Sequence, residues 1–140
     1  MLVVFDTNVL VSGLKSASGA SFQLIRWIQT GHIQPALSAP LMFEYEDVAS
    51  RLGLLPHFQP ADIQAFLDWF TSVSSLHKVY FLWRPFLKDP KDDLVLECAV
   101  SAGARYIVTY NLSDFLKAES LGVQVVTPSK LLSILTEISQ

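Results

Sequence analysis

The sequence predicts an α/β fold built on a mainly parallel sheet. Leu2-Val3-Val4-Phe5 is an unbroken apolar run ending in Asp6-Thr7-Asn8, the pattern of a strand covered on both faces whose C-terminal end meets polar chemistry. A second apolar stretch, Tyr106-Ile107-Val108, also exits into polar residues: Thr109, then Asn111 and Asp114. Around these two, strand-like and helix-like segments alternate with no internal repeat and no low-complexity linker. Parallel sheets place their ligands at the C-terminal strand ends, so two polar strand exits mark a candidate site.

The elements follow in chain order. After the first strand, Ser12-Gly13 and Ser16-Ala17-Ser18-Gly19 read as a small-residue loop beside that site. A helix then carries Phe22, Leu24, Ile25 and Ile28 on its apolar side and stops at Gly31-His32. A short strand is expected from Ile33 to Leu37. Ser38 caps the next helix, which has Pro40 in its first turn and runs through Leu41, Tyr45 and Val48 to Leu52. Gln59 to Ser72 is helical, because Ile63, Phe66, Leu67 and Phe70 repeat at i, i+3, i+4, i+7, and Trp69 falls off that stripe. Leu76 to Leu82 reads as a short edge strand broken by Arg84-Pro85. Asp89-Pro90 opens a helix that ends at Gly103, ahead of the Tyr106 to Thr109 strand. Val123 to Val126 is a last strand, and Thr127-Pro128 starts a helix with Leu131, Leu132, Leu135 and Ile138 on its apolar side.

Composition narrows the functional classes. A chain of 140 residues, 51% hydrophobic and 16% charged, matches one domain with a full core, taken as residues 1–140. Its mean hydropathy of +0.37 is high, which together with Trp27 and off-stripe Trp69 points to a buried interface with a homodimer, higher homo-oligomer or protein partner. No apolar run approaches the ~20 residues that cross a bilayer, and Met1 leads straight into the first strand without a basic leader, so a cytoplasmic protein with no membrane partner is expected. Cys98 is the only cysteine, which excludes an internal disulfide and a multi-thiolate metal site. A net charge of −3 does not advertise nucleic-acid binding, but cations held by clustered carboxylates invert the local field.

The acids carry the chemistry. Asp6 follows the first strand and can serve as metal ligand, nucleophile or helix N-cap. Glu44 interrupts the apolar face of its helix between Phe43 and Tyr45, where an unpaired carboxylate is costly. Asp89 reads as an N-cap with Pro90 at the first helical position, and Asp92 as a complement to the helix dipole. Asp93, one residue deeper, is the better ligand candidate, with Glu97 one turn on as a supporting acid or ion-pair partner. Asn111 and Asp114 stand at capping spacing, so Asp114 is open to both readings. Several carboxylates without a His or Cys set form the oxygen-rich surroundings that Mg²⁺ or Mn²⁺ prefers, and phosphoryl chemistry uses such ions.

Four motifs in this order resemble a PIN domain: Asp6-Thr7-Asn8-Val9-Leu10, Glu44 within Leu41-Met42-Phe43-Glu44-Tyr45, Asp89-Pro90-Lys91-Asp92-Asp93, and Ile107-Val108-Thr109-Tyr110-Asn111-Leu112-Ser113-Asp114-Phe115. The likeness spans essentially the whole chain and is nearest to the toxin components of toxin-antitoxin systems akin to VapC-type ribonucleases. It implies a three-layer α/β/α domain with an acidic pocket that binds Mg²⁺ or Mn²⁺ and hydrolyses single-stranded RNA, with a cognate antitoxin as partner. Carried over residue by residue, it assigns Asp6, Glu44 and Asp93 as the principal metal-binding and catalytic acids. Asp114 then serves as the fourth acid, because Asn111 occupies the position where the family often has it. Asn8 and Thr109 match residues that orient the cluster or a phosphate, and substrate reading falls to the Ser12 to Gly19 loop with Lys15, Arg51 and Lys88. Two other classes fit parts of the pattern. A haloacid-dehalogenase-like phosphotransferase also begins with a strand ending in Asp, but it wants a second Asp where Asn8 stands; a catalytically silent PIN-like partner-binding module accommodates Asn111.

Overall fold

Strands β1 (Leu2–Phe5), β2 (Gln34–Leu37), β3 (Ser75–Leu76), β4 (Tyr106–Val108) and β5 (Gln124–Val126) form one sheet in the order β3-β2-β1-β4-β5, with every neighbouring pair parallel. The computed structural model describes residues 1–51, 53–80 and 86–139. Helices flank this sheet, as the sequence predicts. Val3, Val4 and Phe5 are each at most 1% exposed, which explains the unbroken apolar run: both faces of β1 are covered, at about 1.5–3 kcal/mol for each side chain buried. Pairing of Val3 with Tyr106 and of Phe5 with Val108 sets the two polar strand exits side by side.

The order also fixes where a crevice opens. From β1 the chain winds outward through β2 to β3, then returns across the sheet to lay β4 and β5 on the other side of β1. The strand order therefore reverses between β1 and β4, the position at which open parallel sheets bind ligands beyond their carboxyl ends.

Helix α1 (Thr7–Lys15) begins directly after Asp6, and this revises the expected loop. Ser12 and Gly13 lie inside α1, so the break before α2 (Ala20–Gln29) is confined to 16–19. Gly13 is there for close approach, not flexibility, since a Cβ at that position would lie 2.5 Å from the Ile25 side chain on α2. Helix α3 (Ala39–Ala49) is capped by Ser38, whose hydroxyl accepts from the Leu41 N–H, and it stops before the expected Leu52, which lies outside the described residues. Helix α4 (Pro60–Val73) buries Ile63, Leu67 and Phe70 as predicted.

Trp69 is half-buried, with ring centroids 5.8 Å from Phe66 and 6.5 Å from Phe70, so its own helix covers it. Trp27 is half-buried against His32. Neither is among the strongly exposed apolar side chains, which include Phe43, Leu76, Tyr80 and Leu116. Of the expected Leu76 to Leu82 edge strand only its start is present: β3 is Ser75–Leu76, extended by a hydrogen bond from the His77 N–H to the Leu37 carbonyl, residues 77 to 80 are not strand, and residues 81 to 85, with the Arg84-Pro85 break, lie outside the described residues. Helix α5 (Pro90–Ala102) ends at Gly103 in the left-handed region, φ 64°. A 3-10 stretch over Leu112–Leu121, kinked at Phe115, was not expected from the sequence. Helix α6 (Pro128–Ser139) buries Leu131 and Leu135, whereas Ile138, assigned to the same side, is exposed. Cys98 packs in the core, and burial pushes its thiol up to about 12.

Candidate active site

The site is assembled at the β1–β4 crevice. Asp6 caps α1: one carboxylate oxygen accepts from the Thr7 N–H at 2.8 Å and the other from the Thr109 hydroxyl at 2.7 Å. Its own N–H donates to the Val108 carbonyl at 2.9 Å, continuing the ladder one residue past the strand. The Thr109 oxygen in turn accepts from the Asn111 N–H at 3.0 Å. Held at both oxygens and at its backbone, Asp6 has little freedom to turn. Burial raises its carboxyl above the ordinary range, opposed by the Thr109 hydroxyl and the Thr7 N–H and reinforced by Asp114 and Asp89.

Glu44 reaches the crevice from α3. The buried phenol of Tyr45, one residue along, donates to the Phe5 carbonyl and pins this helix against the end of β1. Glu44 is half-buried, with the Lys91 ammonium 3.9 Å from its carboxylate. Its carboxyl is raised chiefly by burial, with Lys91 pulling the other way.

Helix α5 supplies the third wall and the main departure from expectation. Asp89 is the predicted N-cap, accepting from the Lys91 N–H at 2.9 Å. Asp92, not Asp93, lines the cleft. Asp92 is pushed up to about 7, first by burial and then by Asp6, Asp89, Asp114 and Asp93. Asp93 is 1% exposed and turns away from the cleft, accepting from the Leu87 N–H at 2.9 Å and the Phe86 N–H at 3.3 Å, so it tethers the segment leading into α5. Glu97, also buried, does not line the cleft. The apolar pattern of α5 does not separate the pair: Asp93 precedes buried Leu96 and Glu97 by three and four residues, and Asp92 precedes buried Val95 and Leu96 at the same spacing.

The resulting cleft, of about 400 Å³, is walled by Asp6, Asn8, Glu44, Asp89, Asp92, Asn111 and Asp114, with Lys91 and Arg51 as its cations. The structure thus brings together Asp6, Asn8, Glu44, Asn111 and Asp114 of the sequence-predicted set, sets Thr109 behind Asp6, and leaves Asp93 and Glu97 outside. Sequence reasoning assigned Asp92, Asp89 and Lys91 no role in the site. Of the three basic candidates, Arg51 lines the cleft, Lys15 stands at the end of α1, and Lys88 is exposed outside it.

The donors suit a hard divalent cation. All are oxygens, the walls include no His or Cys, and Asn8 Oδ1 is buried without a hydrogen-bond partner among the described residues. Also among the described residues, no three acidic, His or Cys side chains close on one point tightly enough to hold an ion by themselves.

Fold and cleft together define an α/β protein with an acidic oxygen-donor site at the carboxyl edge of a parallel sheet. The chain belongs to the PIN domain family, which it matches over residues 2–113, and PIN nucleases generally use divalent metal ions. Its fold is similar to that of a chain in the crystal structure of VapBC2 from Rickettsia felis bound to a DNA fragment from their promoter. The TM-score is 0.63 at 16% identity, covering 91% of this chain and 98% of that one. No curated protein matches the chain in sequence. Among the described residues, no helix is long and apolar enough to cross a membrane.

Proposed function

We propose that this PIN domain is a divalent-metal-dependent endoribonuclease that hydrolyses single-stranded RNA, acting as the toxin of a toxin-antitoxin pair. The observation that carries the reading is the meeting of Asp6, Glu44, Asp92 and Asp114 in one cleft beside the unpartnered oxygen of Asn8. The carboxyls of Asp6, Glu44 and Asp92 are raised first by burial and further by neighbouring acids, an environment that a bound cation would relieve. Asp6, Glu44, Asp92 and Asp114 are the residues that would hold Mg²⁺ or Mn²⁺, with Asp92 taking the place the sequence reading gave to Asp93. Such an ion, when bound, offsets phosphate charge and lowers the pKa of coordinated water.

The chain's own groups do the positioning. Thr109 and the Thr7 N–H fix the Asp6 carboxylate, leaving its charge directed into the cleft. Lys91 and Arg51 are the cations available to a phosphodiester that must enter an acidic site. Asn8 Oδ1, buried and without a partner among the described residues, is an acceptor that would be satisfied by a water held on a bound cation. RNA as substrate and an antitoxin as partner rest on likeness to the VapC-type branch, and the fold similarity to the VapBC2 chain supports them. A haloacid-dehalogenase-like mechanism lacks the second Asp it requires, since Asn8 stands there. Incubating the purified protein with a mixed pool of labelled single-stranded RNA in Mn²⁺ and in chelator tests the reading: cleavage only in Mn²⁺ is expected. No cleavage in either, together with unchanged melting temperature on adding Mn²⁺, would leave a catalytically silent partner-binding module in its place.

A further inference from the structure

The acidic cleft does not end at its acids. On one wall α1 presents Thr7, Asn8 and Val11 to the cleft, and one turn on, about 5.4 Å along the axis, it presents Leu14 and Lys15 to a second cavity. The opposite wall continues in the same direction. Val48, Arg51 and Leu54 face the cleft, and the segment they open into, Gly53 to Phe58, lines the second cavity, with Leu54 shared by both. This second cavity measures about 410 Å³, within the ~300–1,000 Å³ range of small-ligand pockets. Its lining is mixed: an apolar side of Leu14, Leu55 and half-buried Phe58, with the exposed ring of His57 and the ammonium of Lys15 at the rim.

We infer that this cavity is the subsite for a nucleotide adjoining the scissile phosphate. Its base lies against His57 and Phe58, and its phosphate lies between Lys15 and Arg51. The inference rests on the nuclease reading above. Charge favours the path, because a polyanion leaving a cleft of five acids is drawn to cations: Lys91 lies beside Glu44, whereas Arg51, on the cleft wall that leads through Leu54 to the second cavity, pairs with the exposed Asp47, and Lys15 stands at that cavity's rim. Stacking on an aromatic face tolerates every base, so the subsite orders a strand without reading its sequence.

Lys15 also sits in the last turn of α1, where a cation complements the helix dipole, so the test must separate binding from a frayed helix end. In an Asp6→Asn background, made to suppress the proposed cleavage, affinity for a fluorescent single-stranded RNA decamer is read by anisotropy in Mg²⁺ across a salt series. Lys15→Gln should weaken binding about three- to tenfold and reduce the slope of log K against log salt by about 0.7, the signature of one lost phosphate contact. His57→Ala should weaken it about tenfold with the salt slope unchanged. A Lys15→Gln, His57→Ala pair that binds like the parent overturns the subsite while the nuclease reading stands, and it returns the cavity to a protein partner or to no ligand. If neither this parent nor the wild-type protein binds or cleaves the RNA in Mg²⁺, both fall. Equal urea midpoints for parent and variants show that any loss is not unfolding.

Discussion

Asp92 and Asp93 are consecutive residues in the first turns of α5, yet they occupy opposite chemical worlds. Asp92 lines a solvent-filled cleft among four other acids and holds its proton up to about pH 7. Asp93 is almost fully enclosed, and two backbone N–H groups, those of Phe86 and Leu87, donate to its carboxylate. One is crowded by like charge and has no hydrogen-bond donor among the described residues; the other is supplied with donors and has almost no access to solvent. The helical step of 100° between neighbours is enough to move a carboxylate from a ligand position to a structural one. Negative charge alone therefore does not identify a functional acid; the donors around it do.

Three measurements test the difference between these two carboxylates. The largest effect is on cleavage: Asp92→Asn should lower metal-dependent RNA hydrolysis by about 10²-fold or more, while Asp93→Asn retains activity in proportion to its folded fraction. A fluorescent single-stranded substrate in Mn²⁺ reads both. Full activity in Asp92→Asn would remove that residue from the proposed ligand set.

Next in size is stability. Replacing the Asp93 carboxylate by an amide weakens two charge-assisted bonds and turns an NH₂ toward backbone donors, at a cost of about 2–3 kcal/mol by urea titration. Asp92→Asn in chelator should be neutral or stabilising. Equal midpoints for Asp93→Asn and the parent would mean that the Phe86 and Leu87 contacts hold nothing in place.

The smallest effect is the pH dependence of the metal-free protein. Asp92 has a folded value near 7 against an ordinary 3.8, so the unfolded chain releases this proton first. Its contribution to stability is then full below about pH 3.8 and is lost as the pH rises toward 7. Because Asp92 is partly exposed, solvent screening reduces the effect to about 1 kcal/mol between pH 4.5 and 7.5 in chelator. Asp92→Asn should flatten that slope, and saturating Mn²⁺ should reverse it, since the cation binds the deprotonated cluster. A slope unaltered by Asp92→Asn would place the raised carboxyl elsewhere.

The same contrast explains what the sequence could and could not disclose. Local rules located β1, the Ser38 and Asp89 caps and the Gly103 stop, because each depends on residues within one turn of one another. Asp6, Glu44 and Asp114 were legible as polar residues at strand exits or on an apolar face. The direction of Asp92 against Asp93 was not, because it depends on where the Phe86–Leu87 segment comes to rest against α5. Ser12-Gly13 failed for a related reason. A glycine beside a serine reads as a break, but Gly13 serves a contact with Ile25 across two helices, which no local pattern records. The 3-10 stretch from Leu112 to Leu121 has too little periodicity to announce itself.

The bond from the Thr109 hydroxyl to Asp6 joins residues 103 apart in the chain. During synthesis, Asp6, Asn8 and Glu44 leave the ribosome long before their partners, and a chain growing from its N-terminus at about 5–20 residues per second carries these acids for seconds with nothing to complete them. Only when β4 has emerged and paired with β1 is Asp6 fixed in the orientation described here. The carboxylate at the centre of the cleft is thus oriented only by a residue made 103 positions later, so the cleft cannot be complete in a nascent chain that has not yet reached β4.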